Sequence, residues 1–207
     1  LRHQAINLKL PMTPDGYVPV ELLLQHQPPR LQCVASISEI EDVVRTNDKQ
    51  RFKLAEKFAS DFREPVTVAS LEEPIRCIRA NQGHSIKGII DPEALLQLLS
   101  PEDVASIPTI VHGTYSEAWE SIQTEGLRQM KRTHIHFAEG LPGEDGVISG
   151  MRKSCDVYIF VDASRCATAG IPFLRSDNGV LLTSGVDNTG VLPPTYFSHV
   201  TDRSGMI

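Results

Sequence analysis

Ile75-Arg76-Cys77-Ile78-Arg79-Ala80-Asn81-Gln82-Gly83-His84-Ser85 decides how the first half of this chain is read. Ile75 to Ile78 is an apolar, strand-like run, Arg79 leaves it as a cation, and Gly83 bends the chain just beyond. Glycine tolerates positive φ and lets a ligand come close to the backbone, so a cation beside a glycine corner suits an anionic group. Working outward, Asp15-Gly16 signals a turn, followed by a short extended stretch Tyr17 to Val20 and a helix from Glu21 to Gln25. Ser38-Glu39-Ile40-Glu41 has capping-box spacing, and Ile37, Ile40, Val43 and Val44 share one helical face. Asn47-Asp48 ends that helix, and Arg51-Phe52-Lys53-Leu54 alternates as a strand does. Residues 55–74 then lead to the Ile75 strand as an extra helix or a long hairpin tip. Helices followed by a short hairpin are compatible with a winged-helix-like unit.

Residues 91–108 carry Pro92, Pro101 and Pro108 around the apolar stretch Ala94 to Leu99, the texture of an interdomain connector with one short helix. Beyond Pro108 the pattern turns to β. Thr109 to His112, Ile135 to Phe137, Val157 to Val161 and Val180 to Thr183 read as strands, Glu117 to Glu125 as a helix, and Thr201 to Ile207 as a frayed tail. The expected class is α+β, with a first lobe over 1–90, a connector over 91–108 and a β-rich lobe over 109–207.

The 207 residues suffice for one large core or two small ones. Composition is that of an ordinary globular chain, 41% hydrophobic and 22% charged. No apolar run approaches the ~20 residues that cross a bilayer, and the N-terminus shows no basic region followed by an apolar one. The four cysteines, Cys33, Cys77, Cys155 and Cys166, form no closely spaced pair; buried reduced thiols in an intracellular compartment, cytoplasmic or nuclear, are expected. Net charge is −6, which argues against indiscriminate nucleic-acid binding over the whole surface but leaves room for a local basic cleft.

Taken singly, Arg2-His3 is an ordinary surface pair on a helix or its end, and Arg132 belongs to a solvated cationic run with Arg128 and Lys131. Their joint order is more specific. Leu1-Arg2-His3, Asp15-Gly16-Tyr17-Val18, Asn47-Asp48-Lys49-Gln50-Arg51-Phe52, Ile78-Arg79-Ala80-Asn81-Gln82-Gly83-His84-Ser85, His112-Gly113-Thr114, Arg132-Thr133-His134-Ile135-His136 and Asn178 to Thr183 resemble, in sequence and in order, the tRNA 2′-phosphotransferase family. The resemblance spans nearly the whole chain. In that family the first helix begins several residues before the Leu-Arg-His, and residues 55–74 read against it as an insertion.

The resemblance implies an N-terminal winged-helix lobe and a C-terminal ADP-ribosyltransferase-like lobe. It also implies the final step of tRNA splicing: the internal 2′-phosphate of spliced tRNA attacks the nicotinamide ribose of NAD⁺, nicotinamide leaves, and the ribose 2″-hydroxyl attacks the transferred phosphate. The products are 2′-hydroxyl RNA and ADP-ribose 1″,2″-cyclic phosphate. By the family pattern the catalytic set is Arg2, His3, Arg79 and Arg132. Arg79 and Arg132 are assigned to the phosphate and its transition state, since a planar guanidinium makes bidentate bonds to phosphate and stays charged. Arg2 completes the phosphate clamp, and His3 donates to a phosphoryl oxygen or shuttles the 2″-proton. His84 and Ser85 are RNA contacts. NAD⁺ is assigned to His112, Gly113, Thr114, His136, Gly150, Arg152 and Val180: histidines for ribose hydroxyls, Gly113 for backbone access, Val180 as the third position of the His-His-hydrophobic pattern, Arg152 for the pyrophosphate in a glycine-rich loop. No G-x-G-x-x-G follows a strand.

His112, His134 and His136 make a conceivable three-histidine metal site, but no carboxylate or cysteine stands at useful spacing, and no metal is expected. Expected partners are 2′-phosphorylated tRNA and NAD⁺, with no membrane and a monomeric chain. Two other readings remain open at this point. One is ADP-ribosylation of phosphorylated nucleic-acid ends or of protein from the same NAD⁺ site. The other is a non-enzymatic winged-helix module that binds nucleic acid.

Overall fold

The computed structural model describes residues 1–207 except 4, 6, 27–35, 67–72, 85–87, 89, 145–146, 148–149, 153, 203 and 206–207. Its chain is mixed helix and sheet, α+β, with antiparallel strand pairing among the described residues. It divides into two compact units, Leu1–Leu95 and Leu96–Ile207.

In the first unit, β1 (Val18–Pro19), β2 (Phe52–Lys57) and β3 (Ile75–Ala80) form a sheet of order β1-β3-β2. Helices α1 (Val20–Gln25) and α2 (Ile37–Thr46) cover one face. Because side chains alternate along a strand, central β3 feeds two clusters. Ile78 joins Val18, Val20, Leu10, Met12 and Ile40 in the helical core. Ile75 and Cys77 point the other way, against Tyr17 and Phe62. Arg79 continues that second row.

Several local expectations shift. The capping box of α2 is formed by Ser36 and Glu39, not Ser38 and Glu41: Ser36 is the residue still in extended backbone, so its Oγ can accept from the Glu39 N–H. Val43 is 47% exposed and leaves the apolar face to Ile37, Ile40 and Val44. Arg2 and His3 sit in turn backbone rather than on a helix. Strand β2 runs on to Lys57, so residues 55–57 are paired with β3 and are not part of a hairpin tip. A 3₁₀ turn at Ala59–Asp61 follows.

Residues 91–108 hold two short helices, α3 (Pro92–Leu95) and α4 (Pro101–Ser106), with β4 (Gln97–Leu98) between them. Ser100 caps α4 and Pro101 opens it, and Leu99, Val104 and Ile107 enter the core of the second unit, which takes more of this segment than a connector would. The second unit adds β5 (Val111–Thr114), α5 (Ser116–Glu125), β6 (Leu127–Arg128), β7 (Ile135–Phe137), β8 (Val157–Val161), α6 (Ala163–Thr168), β9 (Leu174–Arg175), β10 (Leu181–Thr183), β11 (Val191–Leu192) and β12 (Phe197–Asp202). Its sheets are β4-β9-β10-β7, β12-β8-β5 and the pair β11-β6. Thr201 and Asp202 belong to β12 and so are not part of a frayed tail. The sheet containing β5 meets the sheet containing β7 at one bridge, Val111 with Ala138, whose two N–H···O bonds measure 3.0 and 2.9 Å. Phe137, Phe173, Ile159 and Leu181 fill the core behind that junction. Cys77, Cys155 and Cys166 are buried and outside any disulfide among the described residues; Cys33 lies outside those residues.

Candidate functional site

In the first unit the candidate residues gather at the end of β3. Arg79 is 6% exposed, its guanidinium 4.8 Å from the centre of the Tyr17 ring, and its Nη1 donates to the Asp15 carbonyl at 3.1 Å. The corner beyond is held by a neighbouring turn. The Asn81 N–H donates to Arg51 O at 2.9 Å, Asn81 Nδ2 to Gln50 O at 2.7 Å, and the Arg51 N–H to Asn47 Oδ1 at 2.9 Å. Thus the strings that begin at Asn47 and at Arg79 interlock, which spacing alone did not reveal. Gly83 has φ +81, the left-handed backbone that the corner requires.

His84, 4% exposed, packs its ring against Gly16 at 3.7 Å from where a Cβ would stand. Its pKa is pushed down to about 4, by burial first and then by the charge of Arg2 and, after it, Arg79 and His3. Arg2, His3, Arg79 and His84 are therefore electrostatic neighbours drawn from both ends of the unit. His3 is exposed and Arg2 half-buried. Ser85 lies outside the described residues. Asp15 stands in the adjoining turn, which its sequence signals and which belongs to the family-like Asp15-Gly16-Tyr17-Val18 string. Burial acts to raise its pKa, yet hydrogen bonds from Thr13 and Lys57, then the charges of Lys57 and Arg79, hold it below the ordinary carboxylate value.

The second unit sets histidines at the junction of its sheets. His112 on β5 places Nδ1 2.8 Å from the His136 carbonyl, and its ring meets Phe137 edge-on at 5.8 Å. His136 on β7 places its own Nδ1 3.0 Å from the His134 carbonyl. A carbonyl only accepts, so both Nδ1 atoms carry hydrogen and Nε2 is the acceptor nitrogen of each neutral ring. Burial, and next the Arg132 charge, pushes His136 down to about 3. Burial also lowers His112, which Arg132 depresses further against the opposing carbonyl bond. His134, 9% exposed, is lowered by burial and has Nδ1 2.9 Å from Thr133 Oγ1. Among the described residues no group of three or more His, Cys, Asp or Glu is placed to hold a metal ion.

Arg132 closes a turn, its N–H donating to Gln129 O at 3.1 Å, and Met130 within that turn has φ +56. Its guanidinium pKa is lowered by desolvation and then by the like charge of Arg152. Arg152 is exposed and bonded to Tyr115, whose hydroxyl stands 2.8 Å from Ser154 Oγ. Tyr115 and Ser154 carry no signal in the sequence, because isolated hydroxyls form no pattern.

Gly113, Thr114, Gly150 and Val180, also assigned to NAD⁺, are closely packed within the unit. A Cβ on Gly113 would lie 3.0 Å from Met151 Cβ and Sδ and 3.1 Å from Cys155 Sγ, so the space beside this glycine is filled by protein. Thr114, 7% exposed, gives its carbonyl to the Asp156 N–H at 3.1 Å. Val180 is fully buried, its N–H bonded to Ser176 Oγ at 3.1 Å. Gly150 has φ +126 and lies so close to Ala138 that a Cβ would stand 2.6 Å from the alanine Cβ; it seats its loop on the end of β7. Glu144 is a loop brace, Oε2 accepting from the Leu141 N–H at 2.7 Å.

Comparison with known proteins is consistent along the chain. The profile of the RNA 2′-phosphotransferase, Tpt1 / KptA family matches residues 1–185. A Danio rerio protein named tRNA 2′-phosphotransferase 1 is 46% identical over 199 residues, 96% of this chain and 80% of that protein. The Homo sapiens protein of the same name is 44% identical over 199 residues, covering 96% and 70%. The Saccharomyces cerevisiae tRNA 2′-phosphotransferase is 34% identical over 190 residues, covering 90% and 75%.

Proposed function

The chain belongs to the RNA 2′-phosphotransferase, Tpt1 / KptA family, and we propose on that premise that it moves the internal 2′-phosphate of spliced tRNA onto NAD⁺. The products are 2′-hydroxyl RNA, ADP-ribose 1″,2″-cyclic phosphate and nicotinamide. The first unit is read as the winged-helix-like lobe, the second as the ADP-ribosyltransferase-like one. The observation that supports the reading most is the gathering of Arg2, His3, Arg79 and His84 in an otherwise acidic chain. A 2′-phosphomonoester beside a phosphodiester concentrates negative charge, and guanidinium groups oriented in advance stabilise it most as charge builds in the transition state.

The residues of the second unit fit NAD⁺ as co-substrate. A ribose hydroxyl is a donor, and neutral His112 and His136, each with Nδ1–H bonded to a carbonyl, offer Nε2 acceptors. The co-substrate supplies the glycosidic bond from which nicotinamide leaves. Arg132 and Arg152 repel one another, and an anion placed against them relieves that repulsion, which suits Arg132 to phosphate and Arg152 to the pyrophosphate. His3, exposed at its turn, is accessible for proton transfer to or from a phosphoryl or ribose oxygen.

The test is incubation with a short RNA carrying one internal 2′-phosphate, plus NAD⁺. Loss of the phosphate with appearance of the cyclic product is expected. Phosphate retained throughout ends the proposal, and a stable ADP-ribose adduct on the RNA redirects it toward ADP-ribosyl transfer.

A further inference from the structure

Arg79 donates to an uncharged carbonyl and lies over an aromatic ring, with a carboxylate paired to it at longer range. Its Nη1 donates to the Asp15 carbonyl at 3.1 Å and its guanidinium carbon lies 4.8 Å from the centre of the Tyr17 ring, whereas Asp15 Oδ2 makes only a long ion pair at 3.8 Å. That carboxylate is taken by a second cation: Lys57 Nζ sits 2.9 Å from Oδ2 and 4.7 Å from the centre of the same Tyr17 ring. Asp15 itself is fixed. Thr13 Oγ1 donates to Oδ1 at 2.6 Å and accepts from the Tyr17 N–H at 2.8 Å, while the Gly16 N–H reaches Thr13 O at 2.9 Å. Lys57 comes from the far end of β2, opposite Ile75, on the sheet face that Arg79 also occupies. The reaction itself asks nothing of this lysine.

We propose that Lys57 and Asp15 are positioning residues for phosphate capture: Lys57 holds the Asp15 carboxylate so that it does not close on Arg79 and compete with the incoming phosphate. A neutral carbonyl and an aromatic face orient a guanidinium without cancelling its charge. A carboxylate that lost its own cation would move toward the remaining one. The inference rests on the phosphotransferase reading and on Arg79 as the residue that meets phosphate.

It is tested with Lys57→Met, which keeps the apolar stem, together with Asp15→Asn and the double variant. Affinity for a short 2′-phosphorylated RNA is read by anisotropy without NAD⁺, and KM for RNA and for NAD⁺ under turnover. Lys57→Met is expected to weaken RNA binding about tenfold and raise the RNA KM alike, leaving the NAD⁺ KM within about twofold. Adding Asp15→Asn restores the RNA affinity. Asp15→Asn alone binds at least as tightly as the unsubstituted chain, an outcome that does not depend on Lys57→Met folding. A pair that only stabilises the unit gives a lower Tm, unchanged RNA affinity and no restoration in the double variant; that pattern, or weaker binding by Asp15→Asn, overturns the inference. Absence of turnover by the unsubstituted chain defeats the functional reading instead, and this inference with it.

Discussion

The two units solve opposite electrostatic problems. In the first, burial above all, and after it the cations at the end of β3, hold His84 neutral, and Arg79 rests on a carbonyl and a tyrosine face beside an interlocked turn. In the second, the residues at the sheet junction are neutral acceptors, His112 and His136, whose proton positions are set by backbone carbonyls, with cations present at the exposed turns. The difference teaches what each surface is suited to. Fixed positive charge selects a phosphate dianion, while neutral imidazole acceptors select sugar hydroxyls and would be spoiled by protonation.

The largest expected effect comes from removing charge. Arg79→Ala or Arg132→Ala should lower kcat on the order of 10²–10³-fold. Arg132 is exposed, so its variant should keep Tm within about 2 °C, and full activity in either variant would break the proposed division of labour. Next in size, His112→Ala should raise the NAD⁺ KM about tenfold, the loss of one well-placed hydrogen bond, while RNA affinity stays put. An equal loss on both substrates would erase the contrast between the units.

The histidines also link stability to acid. His84 and His136 have folded-state values near 4 and 3, below the ordinary 6.5, so the unfolded chain takes up protons first as pH falls. Their stabilisation is complete above about pH 6.5 and is lost progressively as pH drops toward about 4 for His84 and about 3 for His136. Thermal unfolding at pH 7, 5.5 and 4.5 should show Tm falling, and His84→Gln should flatten the profile between the first two points. The smallest effect concerns Gly113→Ala: Met151 must yield by a few tenths of an ångström, so Tm should drop slightly with the NAD⁺ KM almost unchanged. A large rise in that KM would return Gly113 to the role of an opening for the ligand.

Much of the framework was legible. The strand before Arg79, the glycine corner at Gly83, the helix that ends at Thr46 and the strands at Ile135 and Val157 all follow from local alternation, turn chemistry and helical spacing. Spacing places the capping box two residues late because Ser36 and Ser38 offer the same hydroxyl, and only backbone conformation says which one stands outside the helix. The pieces β4, β6, β9 and β11, two residues each, carry too little periodicity to announce themselves.

By itself the sequence determined which side chains are available to this protein and in what order: the Arg-His start, the arginine ahead of the glycine corner, the paired histidines, and with them family membership. Tertiary structure alone decided their chemical state. Lys57 reaches Asp15 only because β2 and β3 lie in register; His136 is neutral because burial, and next the Arg132 charge, hold it so, and its proton sits on Nδ1 because the His134 carbonyl accepts it there. The physical reason is that charge and proton position depend on solvent exclusion and on partners remote in sequence, neither of which a linear pattern encodes.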